Sequence, residues 1–282
     1  MRTLIIICIF LLAFHPGYSQ GVASSLKQVP DLVQALELFQ KGQYALAQYK
    51  LDGYARLYPQ DLQAIEAQFY AALCAAKLNQ ADADARLKAF MDTYPDHPKV
   101  ARAYYELGNI QLAKQDFRQG IAYYLLADVN QLDKHTRHSL SYQLAYAYLN
   151  EKNFEQALHY FNQVKEQDSP DSYAANYYAG YLAFKSGDYE AALIDLEKAG
   201  KNEAYQTVVP YLILEVLYQQ KRFQELIAYS ERFHALPEPL QNADDIELLT
   251  AEAYFFLQAY PAAVKHYETY IGLLSQAPSQ EV

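Results

Sequence analysis

Residues 177–199 read YYAGYLAFKSGDYEAALIDLEKA, and this stretch decides the fold. Tyr189 opens its second half, Gly180 stands nine residues earlier and Ala192 three later. The same setting recurs along the chain as Tyr44 in KGQYALA, Phe117 in KQDFRQG, Phe154 in EKNFEQA, Phe223 in QKRFQEL and Tyr260 in LQAYPAA. Counting the six aromatics in order, the gaps are 73, 37, 35, 34 and 37. The first gap is two periods, and Gln80 in LNQADADA takes the place of the missing aromatic, so seven units are expected. The residue three after this position is Ala47, Ala83, Gly120, Ala157, Ala192, Leu226 or Ala263, and the one nine before it is Ala35, Ala71, Gly108, Ala145, Gly180, Leu214 or Ala251. Small side chains at two fixed places in one unit allow two helices to approach closely.

Each unit reads as helix, short turn, helix. In the third, Tyr104, Leu107, Gly108 and Gln111 to Leu112 follow i, i+3, i+4, i+7 spacing, and Phe117, Ile121, Tyr124 and Ala127 repeat it after a turn at Lys114-Gln115-Asp116. Proline agrees: Pro59, Pro95, Pro98, Pro170, Pro237, Pro239 and Pro278 fall between units, while Pro30, Pro210 and Pro261 fall in first turns. None sits in a helix interior, where it would cost roughly 3 kcal/mol. The fold class expected is therefore all-α.

Composition sets the outer limits. Of 282 residues 52% are hydrophobic and 20% charged, enough apolar material for a sizeable core. The net charge of −10 counts against a nucleic acid partner. Ten glycines are about half the usual share of roughly 7%, leaving little for phosphate loops. Tyrosine is abundant, at 28, and tryptophan absent. Arg2, the apolar run Leu4–Phe14 and the small-x-small site Gly17-Tyr18-Ser19 read as a secretory leader. Eleven apolar residues rise only about 16 Å as a helix, against roughly 30 Å of hydrocarbon, so no membrane span is expected. The layout is thus a signal peptide at 1–19, a linker at 20–27, the repeats at 28–277 and a tail or truncated continuation at 278–282. The protein is expected to be exported, periplasmic or associated with an outer membrane.

Chemistry is sparse. No GxGxxG, GxxxxGK or GxSxG string occurs. His135 and His138 are the close histidine pair, but Lys134 and Arg137 flank them and no third ligand is near in sequence, so they read as a solvated turn entering the fourth unit and not as a metal site. Carboxylate pairs such as Asp82 with Asp84, or Asp244 with Asp245, read as solvated faces or helix caps. Cys74 reads as a small core residue, and the mature chain has no second thiol with which to pair it. No catalytic residue, metal or cofactor is expected.

The period, the small-residue places, the aromatic before the second helix and the prolines between units resemble the tetratricopeptide repeat family from about Gln28 to Ala277, the stretch at 177–199 most of all and the sixth unit least. The run YPDHPKVARAYYELGNIQL at 94–112 is similar to the bacterial cell-envelope subset, which includes the outer-membrane assembly lipoprotein and the coordinator partnered with Tol-Pal. The resemblance implies a right-handed α-α superhelix of seven repeats whose first helices line a concave face. Carried over position by position, that face holds Tyr105, Asn109, Tyr142, Tyr146, Tyr177, Tyr181, Phe184, Tyr211 and Tyr218. It implies a non-catalytic scaffold binding a protein or peptide, for which tyrosine supplies a large contact area with few torsions to freeze. The same rings could pack between helices, or stack on sugars as a glycan or small-ligand receptor would require. Chaperone-binding members clamp a terminal carboxylate with Lys, Asn and Arg, whereas here Glu215 and Glu252 would repel an anion. At the other boundary Val264, Ile271 and Leu274 fall on the face of the last helix that would meet a next unit, implying further repeats, a partner or self-association at that edge. If the leader is cut as read, N-terminal sequencing of the exported protein starts at Gln20 or its cyclised form; a mature protein retaining Met1 contradicts export.

Overall fold

A computed structural model describes residues 31–167, 169, 171–233, 240 and 242–276. The leader, the linker, the tail and Pro30, Pro170, Pro237, Pro239 and Pro278 lie outside them, as do the outermost residues expected for the repeats, 28–30 and 277. Among the described residues there are fourteen α-helices and no strand. They are α1 (31–40), α2 (Tyr44–Leu57), α3 (Gln63–Lys77), α4 (Ala83–Thr93), α5 (Val100–Ala113), α6 (Phe117–Leu126), α7 (Lys134–Asn150), α8 (Phe154–Val164), α9 (Ser172–Ser186), α10 (Tyr189–Ala199), α11 (Val209–Gln219), α12 (Phe223–Ser230), α13 (Ala243–Phe256) and α14 (Tyr260–Gln276). Single 3₁₀ turns at Val129–Gln131 and Glu203–Tyr205 precede α7 and α11. The chain forms two compact units divided between Ile110 and Gln111, inside α5.

The helix pairs are joined by one turn used seven times. One or two residues beyond each first helix stands a residue with positive φ: Gly42, Asn79, Gln115, Lys152, Gly187, Lys221 and Gln258. The next residue donates its N–H to the carbonyl five positions back, as Asp116 to Gln111, Asn153 to Tyr148 and Asp188 to Ala183. This is the Schellman arrangement, which satisfies the last carbonyls of a helix while reversing the chain. In three turns that same residue then caps the second helix: the side chains of Asp116, Asn153 and Asp188 accept N–H bonds from Gln119, Gln156 and Ala191. The recurring aromatic follows as the first residue of α2, α6, α8, α10, α12 and α14.

The second repeat departs from the expected register. Gln80 donates to Ala75 and so occupies the cap place, not the place of the missing aromatic. Ala83 then bonds to Gln80 three residues back, whereas Ala47, Gly120, Ala157, Ala192, Leu226 and Ala263 each bond four back. One residue is absent there, and a tighter turn restores the buried position. The freed Gln80 pairs amide to amide with the buried Gln48, at 2.8 Å in both directions.

Both sets of small residues are buried throughout. At Gly180 the reason is metric, since a Cβ there would stand 2.8 Å from Leu196 Cγ and 3.1 Å from the Leu196 backbone nitrogen. In the first unit Leu32, Ala35, Ala47, Leu51, Tyr54, Ala67, Ala71 and Cys74 form one core. Burial pushes the Cys74 thiol up to about 11, so it stays protonated and inert. In the second unit each helix from α6 to α14 packs on the next, and α11 also touches α9 and α13. Leu196, Val209, Ile213, Leu214, Val216 and Leu226 fill its larger core. A buried ion pair, Lys165 Nζ to Asp195 Oδ2 at 2.8 Å, ties α8 to α10. His135 and His138 lie not in a turn but on the first turn of α7, which begins at Lys134 because the Asp133 carboxylate accepts the Thr136 N–H.

Two glycines test this packing in opposite directions. Gly180→Ala should lose about 1–3 kcal/mol of stability by overpacking against Leu196. Gly53→Ala, inside α2 with open space around it, should gain roughly 0.5–1 kcal/mol. Denaturant midpoints measure both; a neutral Gly180→Ala would remove close approach as the reason for the small residue.

Candidate tyrosine face of the second unit

Three neighbouring first helices carry aromatic stripes at helical spacing: Tyr142 and Tyr146 on α7, Tyr177, Tyr181 and Phe184 on α9, Tyr211 and Tyr218 on α11. Their spacing of four, three or seven places each set on one side of its helix. All seven rings are half-buried, so they pack and remain accessible at once. Tyr146 meets the Tyr178 ring edge-on at 6.2 Å and the Phe117 ring at the same distance. Tyr142 meets Phe161, which stacks on Tyr178 at 5.3 Å. Tyr177 touches Tyr178 edge-on and stacks on Tyr205 at 5.1 Å with 28° between planes. The chain of rings is therefore continuous from α7 through α9 to the turn before α11. Lys185 Nζ lies over both the Tyr181 and Phe184 rings, at 5.4 and 5.2 Å.

Towards α13 the tyrosines change partners. The Tyr211 hydroxyl donates to Glu215 Oε1 at 3.0 Å, and the Glu252 carboxylate of α13 acts electrostatically on Tyr218. Hydroxyl ionisation is suppressed at Tyr142, Tyr177, Tyr178, Tyr205, Tyr211 and Tyr218. Burial raises Tyr142, Tyr177, Tyr178 and Tyr205, reinforced by neighbouring tyrosines, while burial and the Glu215 bond raise Tyr211. Tyr218 is pushed up to about 12, first by the Glu252 carboxylate and then by burial.

The other expected positions lie outside α7, α9 and α11. Tyr105 and Asn109 belong to the first unit. Tyr105 is buried, 8% exposed, with the Arg102 guanidinium 5.1 Å from its ring centre, too covered to be a contact. The Asn109 amide donates to Glu106, a 2% exposed carboxylate also held by Arg102 at 2.8 Å and Lys77 at 3.5 Å. At the far end Val264, Ile271 and Leu274 are 54%, 63% and 47% exposed on α14. Two residues escaped sequence reasoning: Tyr178, adjacent to a groove position, and Tyr205, which sits in a 3₁₀ turn that a helix template does not address. The one signal for Tyr205 is Asn202, whose side chain caps that turn by accepting the Ala204 N–H. Around His135 and His138 no three His, Cys, Asp or Glu side chains gather among the described residues.

Comparison with known proteins now bears on this geometry. Tetratricopeptide repeat models match residues 66–97 and 142–206, the second span running from Tyr142 through Tyr205. The chain is a tetratricopeptide repeat protein. Among solved structures it is similar to PilF of Pseudomonas aeruginosa, with TM-score 0.56, 14% identity, 73% of this chain and 90% of that one covered. It is similar too to YrrB, described as a TPR protein with an unusual peptide-binding site, with TM-score 0.55, 14% identity and 68% and 95% covered. A tetratricopeptide repeat protein from Parabacteroides merdae gives TM-score 0.50, 10% identity and 90% and 94% covered. At these identities the likeness concerns the fold. No curated protein matches the sequence.

Alkaline titration examines the face directly. Tyrosines whose folded values lie above the unfolded value of about 10 stabilise the fold fully below that pH, and the contribution is lost as pH rises through the folded values. Stability of this tetratricopeptide repeat protein should hold to about pH 10 and fall above it, with late tyrosinate absorbance appearing together with loss of helical circular dichroism. Ionisation of every tyrosine near pH 10 in an intact fold would show the rings to be hydrated.

Proposed function

We propose that the protein is an exported, non-catalytic scaffold that holds an extended segment of another protein against the tyrosine face of α7, α9 and α11. A tetratricopeptide repeat protein is in general an interaction scaffold, and the repeats here supply the frame. The observation that carries the finer reading is the continuous row of half-buried rings from Tyr142 to Tyr205. Such rings are already held by their neighbours, so little side-chain freedom is lost on binding. A sugar receptor needs open ring faces for stacking, and here Tyr146, Tyr142 and Tyr177 have ring neighbours of their own, which favours a peptide with its own side chains and backbone groups. The leader motivates placement in the bacterial periplasm or outer envelope, where the resembled subset works.

Tyr177→Ala separates contact from packing. With a partner identified by capture from envelope extract and reduced to its bound segment, affinity should fall about 30-fold, roughly 2 kcal/mol, against a stability loss near 1 kcal/mol from the missing Tyr205 stack. Tyr49→Ala, on the exposed side of α2 in the first unit, should leave affinity unchanged. Unaltered binding by Tyr177→Ala moves the contact away from this face.

A further inference from the structure

The part of the face formed by α11 and α13 has a polarity of its own. The single hydroxyl proton of Tyr211 is donated to Glu215 on the same helix at 3.0 Å, and Glu252 stands on α13, which packs against α11. What the Tyr211 oxygen and the two carboxylates offer a ligand is lone pairs: they accept and do not donate. Asp244 and Asp245, in the first turn of α13, add negative potential at Tyr211. Against these four carboxylates stands Lys185 of α9, whose charge rests over the Tyr181 and Phe184 rings. An acceptor-rich, acidic, tyrosine-lined surface is complementary to a donor-rich cation with a flat face, and guanidinium has both properties.

We infer that this half of the tyrosine face binds an extended protein segment carrying arginine side chains, which lie against the Tyr211 and Tyr218 rings and donate to Glu215 and Glu252. The inference rests on the peptide-scaffold reading and adds the chemistry of the peptide. Charge complementarity selects the partner and speeds its approach, and the rings supply the contact area.

Three fluorescein-labelled octapeptides test it, alternating Phe with Arg, with Gln or with Glu, titrated by anisotropy against the full mature chain. The Arg peptide should bind about tenfold or more tightly than the Gln peptide, and the Glu peptide weakest of all. The double variant Glu215→Gln/Glu252→Gln keeps a side-chain oxygen acceptor at each position and should remove that preference. Glu155→Gln/Glu268→Gln alters net charge equally at exposed sites outside the face and should preserve the preference, which separates local recognition from general attraction to an acidic protein. Equal binding of Arg and Gln peptides, with both weakened by Tyr177→Ala, overturns the arginine inference and leaves the peptide face standing. A preference that survives in Glu215→Gln/Glu252→Gln, or vanishes equally in Glu155→Gln/Glu268→Gln, also overturns it. Binding by none of the three overturns both readings.

Discussion

Everything in this chain depends on two helices of one repeat lying closer than ordinary side chains permit. At Gly180 the gap to Leu196 is too small even for a methyl group. Once the axes are that close, the loop between them has to reverse the chain in two or three residues, and a left-handed residue does this while closing two hydrogen bonds onto the helix it ends. Small residue and turn are therefore one requirement seen twice. Their coupling explains why the second repeat, one residue short between turn and alanine, tightens its backbone at Gln80 instead of letting Ala83 leave its site.

Close backbones leave little room for large core side chains between the paired helices, and the apolar bulk moves to the outer sides of each pair. That is where the tyrosines stand. Those on the candidate face are half-buried, and the Tyr211 hydroxyl, which would be costly to bury without a partner, donates to a carboxylate. Buried polar groups elsewhere follow the same accounting. Glu106 is surrounded by Arg102, Lys77 and Asn109, Asp195 by Lys165, and the Asn176 amide donates to the carbonyls of Lys165 and Ser172. Such clusters fix which repeat face meets which, because a shifted register would leave a charge buried alone.

The repeat was legible because its constraint is written in residue size. Alanine and glycine at Ala47, Ala71, Gly120 and Gly180 cannot be exchanged for bulk without separating the helices, so the spacing survives in plain sight, and six aromatics mark the first residue of a second helix. The left-handed turns were not legible. Only Gly42 and Gly187 of the seven are glycine, while Lys152, Lys221, Gln115 and Gln258 occupy the same conformation because two hydrogen bonds and a packed pair outweigh roughly 1 kcal/mol of strain. Hence the slip at Gln80 was invisible. The half-buried aromatic stripes were legible at Tyr142, Tyr146, Tyr177 and Tyr181, where helix periodicity governs, whereas the burial of Tyr105 and the placement of Tyr205 by a turn were not. The division at Ile110 and Gln111 leaves no trace in the spacing, since it falls inside a regular helix.

The absence of tryptophan becomes intelligible at this point. Indole offers one N–H donor and no acceptor, so it could neither extend its hydrogen bonding outward after donating to a glutamate nor fit beside neighbours spaced at 5–6 Å. Phenylalanine would fill the same space but at position 211 would leave Glu215 without the donor that holds it in place. Tyrosine alone supplies the flat body that closes the seam between repeats and a hydroxyl that donates once and accepts further. Arranged on successive first helices, it turns the packing surface of a repeat into a surface with a chemical sense, apolar along α7 and α9 and accepting along α11 and α13. The packing and binding roles of these rings are therefore not rivals: the burial that fixes their planes is what prepares the exposed halves for contact.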